Sequence, residues 1–453
     1  MGGRLAKVPR LLIVSAFFPP SRKIGARRPE RFARHLAQRG WDVTVLTLRE
    51  SYAQPLDEGW TPPPGVRIVR THAFMPGDAL RSAATALHRH GARGDRSPGY
   101  GVRVEDFVGS FPAAPGPAGN GTTRPLRDAF WRSVSRVEFP DRWIGWKPFA
   151  LAASRRFGFD AVIATLPPYS PALIARHLAR RQGSIFALDY RDPWTEAPRT
   201  GWDPALYAHL LDRHRRVEDA CLRDADLILA TSPTICRWLA PRAGIEPVFA
   251  PNSFDTVESA QRPRTHALVY TGSLAYGRSL EPVLTAMARL SNDPIGRDLE
   301  LVYAGTDGAQ VLAQAARLGL SGRVRDVGYV TARESDALVR NALAAVVLVT
   351  PRYEYMLPGK LFEVIASGTP LLLVAPADAD VATICRVHRL GWHHLPGDVD
   401  GIAASLRRAL AGEVPVPEGL DALRTKNVID LVDRELRAAL SRGPRISNTS
   451  RTV

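Results

Sequence analysis

Two rhythms of apolar residues alternate along this chain. Residues 11–18, Leu-Leu-Ile-Val-Ser-Ala-Phe-Phe, form a largely apolar run, the pattern of a parallel strand covered on both faces. Behind it come a loop holding Gly25, then Pro29, an i, i+4 pair of Phe32 and Leu36, and Gly40, which together predict a helix over 29–37. Residues 41–47 return to strand-like alternation. Strand, glycine loop, helix and strand make the βαβ unit that opens a doubly wound sheet. Further strands are expected at 66–71, 161–165, 185–190 and 227–230, with helices at 170–181 and 204–221. Thr231-Ser232-Pro233 then reads as the start of another helix. A second series begins at 267. Its strands are expected at 267–271, 299–304, 324–329, 344–350 and 370–374, and its helices at 280–290, 309–318, 333–342, 361–367, 381–388, 399–410 and 421–440.

Two successive α/β domains follow from this order. Their expected bounds are 1–255 and 256–420, followed by a C-terminal helix over 421–442 and a disordered tail over 443–453. The rhythm fails between the third and fourth strands. Residues 91–123 are rich in Gly, Pro, Ser and Ala and offer little apolar surface against the entropy of ordering, so a mobile insertion is expected over about 72–135.

Composition narrows the partners. The 453 residues carry 60 Lys and Arg against 45 Asp and Glu, a net charge of +15. Residues 1–255 hold 37 basic and 24 acidic residues, so +13 of the excess belongs to the first domain. The densest run is Arg22, Lys23, Arg27, Arg28, Arg31 and Arg34. Nucleic acid is not expected as a partner, because single-strand recognition needs aromatic platforms among the cations and this run offers only Phe32. An anionic membrane surface fits better. Three separated cysteines, Cys221, Cys236 and Cys385, leave no disulfide framework or zinc spacing. No apolar run nears the ~18 residues needed to span a bilayer. Run 11–18 is read as a buried strand rather than a targeting segment, which makes the expected location cytoplasmic, peripheral on the inner face of the cell membrane if the basic run docks there.

The chemistry-bearing segment is Glu354-Tyr-Met-Leu-Pro358-Gly359-Lys360-Leu361-Phe-Glu363-Val-Ile-Ala-Ser-Gly368-Thr-Pro370. A glycine opens a helix whose free N–H groups can face an anion. Lys360 adds a point charge, and Glu363, one turn on, can accept from a diol. This segment resembles the donor-binding signature of GT-B glycosyltransferases, in particular glycosyltransferase family four and its bacterial envelope-polysaccharide branch. Thr271-Gly272-Ser273 to Arg278, Ala304-Gly305, Asp326-Val-Gly328-Tyr329, Pro19-Pro20 to Gly25, Asp189-Tyr-Arg191-Asp192 and Pro251-Asn252-Ser-Phe-Asp255 resemble other family segments in the same order.

The resemblance implies an α/β fold of GT-B architecture, two facing Rossmann-like domains with a cleft between them. It implies a retaining glycosyltransferase that moves a sugar from a nucleotide-diphosphate-sugar donor to an acceptor hydroxyl, on a sugar or lipid-linked sugar acceptor, in envelope polysaccharide or glycoconjugate synthesis. The donor site would take Gly25, Gly272, Ser273, Gly305, Tyr329, Pro358, Gly359, Leu361 and Glu363. Glu354, Arg278, Lys360, Arg191 and Asp192 would serve the reaction. The chain departs from the family pattern at three points. Ser273 stands where relatives carry an Arg, Arg191 stands where many carry a His, and the Glu expected eight residues before Glu363 falls on Tyr355, with Glu354 one residue further. No Asp-x-Asp lies where a metal would hold the diphosphate, so no metal or cofactor is expected beyond the donor substrate. An inverting GT-B transferase, a sugar-nucleotide epimerase and a non-catalytic sugar-nucleotide-binding homologue remain alternatives.

Overall fold

The computed structural model describes residues 8–78, 132–196, 204–257 and 265–445. Residues 79–131 of the expected insertion and 446–453 of the expected tail lie outside the described residues. In the first unit, seven strands run parallel in the order β3-β2-β1-β4-β5-β6-β7. They are β1 (Arg10–Val14), β2 (Asp42–Leu48), β3 (Val66–Thr71), β4 (Ala161–Leu166), β5 (Ile185–Tyr190), β6 (Leu227–Ala230) and β7 (Val248–Phe249). Their helices are α1 (Arg27–Gln38), α2 (Lys147–Ser154), α3 (Ser170–Gln182), α4 (Pro204–Asp224) and α5 (Pro233–Ala243). Strands with both faces covered must be apolar throughout, and Leu12, Ile13, Ile163, Phe186 and Leu188 are fully buried. The α1 stripe of Phe32, Ala33 and Leu36 packs inward, and Gly40 leaves the helix at φ +82°.

The second unit repeats the plan with six parallel strands in the order β10-β9-β8-β11-β12-β13. These are β8 (Ala267–Thr271), β9 (Glu300–Ala304), β10 (Val324–Asp326), β11 (Ala344–Leu348), β12 (Leu371–Val374) and β13 (Gly391–His394). The helices are α6 (Glu281–Arg289), α7 (Gly308–Arg317), α8 (Ala332–Arg340), α9 (Gly359–Ser367), α10 (Asp380–Val387) and α11 (Val399–Leu410). Its core joins Leu268, Leu301 and Leu372 of the sheet to Leu284 and Met287 of α6 and Leu406 of α11. The unit holds Pro251–Val428 and Ser232–Thr234, and the chain returns to the first unit at Ile429. That return falls inside the last helix, α12 (Thr425–Arg442). Arg39 Nε donates to Asp430 at 2.8 Å and Trp41 Nε1 to Asp433 at 2.6 Å, which fixes α12 on the first unit.

Strand ends depart from the periodicity for local reasons. The run 11–18 was expected to be strand throughout, yet β1 stops at Val14. Ser15 Oγ donates to the Phe17 carbonyl at 2.7 Å and turns the chain, so Phe17 and Phe18 are buried as loop residues. Similarly, 324–329 is strand only to Asp326, where Gly328 takes φ +67° and donates its N–H to Asp326 Oδ1 at 2.9 Å. The short α2 and β13 escaped the sequence reading, being too brief for periodicity to resolve.

One buried carboxylate ties the first unit's irregular segment to its sheet. Asp141 is fully buried and accepts from the N–H groups of Trp143 (2.9 Å), Tyr169 (2.6 Å) and Ser170 (2.7 Å) and from Ser170 Oγ (2.6 Å). It thereby satisfies free N–H groups at the start of α3 from a distant part of the sequence. Burial pushes its pKa up, opposed by the Ser170, Trp143 and Tyr169 hydrogen bonds. Asp141→Ala would strand three backbone donors, and a loss of about 3 kcal/mol in urea unfolding is expected. A loss below about 1 kcal/mol would show that the carboxylate is not structural.

Candidate functional site

In each sheet the order reverses beside one strand, β1 in the first and β8 in the second. Open parallel sheets bind ligands beyond the carboxyl ends of strands at such a switch point. In the second unit β8 ends at Thr271, and Gly272 follows. Its N–H donates to Ala304 O at 2.6 Å and its φ is +108°, a value that only glycine holds without strain. Gly305 packs directly against it, because a Cβ at 305 would fall 2.2 Å from Gly272 O. Lys360, in the first turn of α9, reaches the same spot: a Cβ on Gly272 would lie 2.2 Å from its Nζ. The ammonium sits 4.7 Å from the Tyr270 ring centroid.

Arg278 closes the loop after β8. Its guanidinium lies 5.1 Å from the Tyr276 ring and its Nη2 3.4 Å from Met356 Sδ. Burial first, then the positive charge of Arg278, push the Lys360 pKa down to about 7, while Glu363 acts in the opposite sense. Lys360 is only half-buried as a whole residue, so the enclosure concerns its ammonium end. Two cations therefore gather at one glycine loop, with Glu363 offsetting Lys360 and Asp307 accepting from the Leu274 N–H, an arrangement that can receive an anion. The loops that carry them are constrained. Tyr276 and Arg352 hold φ of 69° and 77°, and Thr350 Oγ1 donates to Tyr276 O at 2.8 Å. Left-handed non-glycine residues are strained, and such strain clusters at functional sites.

The structure thus brings Gly272, Gly305, Arg278, Lys360 and Glu363 together, and Pro358 and Gly359 stand at the start of α9. Glu354 has its Oε2 buried without a hydrogen-bond partner among the described residues. Tyr329 follows Gly328 and is 64% exposed. Ser273 contributes its backbone, its carbonyl accepting from Tyr270 Oη at 2.8 Å. Leu361 packs its side chain into the core and its N–H, in the first turn of α9, donates to Pro358 O at 3.0 Å, so only its backbone lies at the start of the helix. The sequence reading missed Tyr270, Tyr303 and Asp307. The single Tyr303 hydroxyl proton is shared between Gly272 O (3.0 Å) and Asp307 Oδ2 (3.1 Å), and the Tyr270 and Tyr303 rings stack at 5.9 Å. Their alternation with Leu268 and Leu301 reads as core, and nothing in it marks the hydroxyls.

In the first unit Gly25 and Arg191 meet. A Cβ on Gly25 would fall 2.7 Å from Arg191 Nη1, so the glycine admits the guanidinium. Arg191 Nε donates to Leu166 O at 3.2 Å and Nη2 to Pro167 O. Burial lowers the Arg191 pKa and raises that of Asp192, and each charge partly offsets the other. The basic run is not a uniform surface patch. Arg28 is buried, with Nε and Nη2 on Asp189 at 2.8–3.0 Å and Nη2 also on Ala250 O at 2.8 Å, and Arg34 pairs with Glu30. Arg22, Ile24 and Arg27 are exposed. Among the described residues no group of three His, Cys, Asp or Glu could hold a metal ion, and no helix is long and apolar enough to cross a membrane.

Residues 265–412 match the family model of glycosyl transferases group 1. No curated protein sequence matches the chain. Solved structures do. A lipopolysaccharide outer core galactosyltransferase, WaaB in its apo form, is 13% identical at TM-score 0.51, covering 95% of this chain and 99% of that one. An α,α-trehalose 6-phosphate synthase from Burkholderia multivorans is 15% identical at 0.54, covering 96% and 99%. Anabaena Alr3699/HepE, solved in complex with UDP, is 11% identical at 0.51, covering 95% and 100%. At these identities the structures speak for the fold, which is GT-B. The match over 265–412 makes the second unit a group 1 glycosyltransferase domain, and the chain a transferase.

The Lys360 environment is directly measurable. With the lysines 13C-dimethylated, one resonance is expected to titrate near pH 7 and to disappear in Lys360→Arg. All lysines titrating near their ordinary ~10.4 would show that the ammonium is not enclosed.

Proposed function

We propose that the chain is a retaining, metal-independent glycosyltransferase that moves a sugar from a nucleotide-diphosphate-sugar to an acceptor hydroxyl, the second domain binding the donor and the first the acceptor. The observation that carries this reading is the Lys360 ammonium over Gly272 at the switch point of the second sheet, with the charge of Arg278, from the same loop, acting on it. Together with the first turn of α9 they suit a diphosphate, which needs charge and N–H donors at once. Glu363, one turn into α9, would accept from the ribose hydroxyls, and the exposed backbone after Gly328 would meet the base. The orphaned Glu354 Oε2 is an acceptor awaiting a hydroxyl of the transferred sugar.

In the reaction the bond from the anomeric carbon to the diphosphate oxygen breaks and a bond to the acceptor oxygen forms on the same face. The acceptor proton passes to the departing phosphate oxygen, so no strong protein base is required. Negative charge grows on the diphosphate as it leaves, and Lys360 and Arg278 are already in place to stabilise it. The acceptor is proposed to be a sugar or lipid-linked sugar of envelope polysaccharide or glycoconjugate synthesis, met at the inner face of the cell membrane. The exposed Arg22, Ile24 and Arg27 support that docking. Cosedimentation with phosphatidylglycerol vesicles should weaken with salt, and no binding at low salt would reject it.

Nucleoside diphosphates should raise the melting temperature by mass action. A flat response to every nucleoside diphosphate sinks the reading. The sign of its pH dependence follows from Lys360. The free group has a pKa of about 7, and a bound diphosphate favours the ammonium, so binding takes up a proton above that pH. Affinity should fall between about pH 7 and 9, by at most about tenfold per unit. Lys360→Arg should flatten this slope, and Lys360→Met should weaken binding at pH 7.

A further inference from the structure

The Lys360 ammonium and the glycine loop are held by the same pair of side chains. Tyr270 and Tyr303 are register partners on β8 and β9, and their rings stack nearly parallel, at 6° and 5.9 Å. The Tyr270 ring lies under Lys360 Nζ at 4.7 Å, while its hydroxyl donates 2.8 Å to the Ser273 carbonyl. The single Tyr303 hydroxyl proton is shared between the Gly272 carbonyl (3.0 Å) and Asp307 Oδ2 (3.1 Å), and Asp307 Oδ2 also accepts from the Leu274 N–H (2.9 Å). Two successive carbonyls are therefore tied back into the domain. The peptide between residues 272 and 273 is planar and trans, so fixing the Gly272 carbonyl turns the Ser273 N–H the opposite way.

We propose that Tyr270 and Tyr303 are positioning residues of the anion site: the Tyr270 face holds Lys360 over Gly272, and the two hydroxyls turn the loop so that the Ser273 N–H joins Lys360 in binding the donor diphosphate. This rests on the donor reading above. It gives Ser273 a backbone role, and it gives two core tyrosines a task that packing alone does not require. A Phe at either position would fill the same space but leave one carbonyl untied. The charged groups facing Lys360 are Arg278 and Glu363, with Asp307 behind the tyrosine pair. A cation is attracted to a ring face, so the Tyr270 ring favours the ammonium over the amine.

The test uses the full chain with inorganic pyrophosphate as probe, in Tyr270→Phe, Tyr270→Leu and Tyr303→Phe. Circular dichroism and melting temperature control for the fold. Lys360 is followed by the 13C-methyl resonance without ligand, and pyrophosphate affinity by calorimetry. Tyr270→Phe keeps the ring, so the Lys360 midpoint should stay in place while affinity drops several-fold. Tyr303→Phe should do the same. Tyr270→Leu removes ring and hydroxyl, so the midpoint should move further down and affinity fall by about tenfold or more. A folded Tyr270→Leu with wild-type midpoint and affinity overturns the proposal, and so does wild-type affinity in both Phe variants. The midpoint is read without ligand, so its response to Tyr270→Leu stands apart from the donor reading, which fails if the wild-type chain binds neither pyrophosphate nor any nucleoside diphosphate.

Discussion

The approach of two backbone segments, Gly272 against Gly305, is the constraint on which the rest of the second domain's site depends. The Gly272 N–H is held by Ala304 O at 2.6 Å, and the Gly272 carbonyl stands where a side chain at 305 would begin. Only glycine at both positions lets the ends of β8 and β9 come this close, and only a left-handed φ at 272 turns the chain away in time. With that turn fixed, the space above Gly272 is open, and Lys360 occupies it. A methyl group on Gly272 would displace the cation. The glycine pair thus determines where charge can sit at the switch point.

Charge placed there is held against opposition. Lys360 is desolvated and repelled by Arg278, while Glu363 and the Tyr270 ring face act the other way. In an isolated protein such an arrangement is unfavourable, and a bound anion would reverse the balance. The same logic recurs in the first domain, where it is resolved internally: Arg28 is buried, yet Asp189 and the Ala250 carbonyl use its donors. The two cases separate a structural ion pair from a site. The first is satisfied within the fold, and the second is the charge the proposed donor would meet.

Much of the fold was legible in the sequence because a doubly wound sheet has a strong signature. Apolar strands, Gly- and Pro-marked helix boundaries and their strict alternation placed both sheets. Where the reading slipped, a local hydrogen bond had won: Ser15 with Phe17 ended β1, and Gly328 with Asp326 ended β10. Gly272 and Gly305 were legible as loop glycines for a similar reason, because each directly follows a strand end. The orientation of Leu361 was not legible, since a motif names residues without saying which way each points, and the side chain is buried in the core.

The sequence by itself determined the periodicities, and with them two parallel sheets, their loops and the residue types able to handle a diphosphate. It could not determine partnerships. Arg28 and Arg34 look alike in the basic run, but one is buried on Asp189 and the other pairs with Glu30. Tyr270 and Tyr303 look like core residues and are, yet strand register stacks their rings and aims both hydroxyls at the glycine loop. Asp141 looks like a loop residue and caps a helix 29 positions on. Each assignment depends on which groups lie within about 3 Å across long separations in sequence. That proximity arises only when the sheets have formed, because strand register and helix packing, not local propensity, fix it.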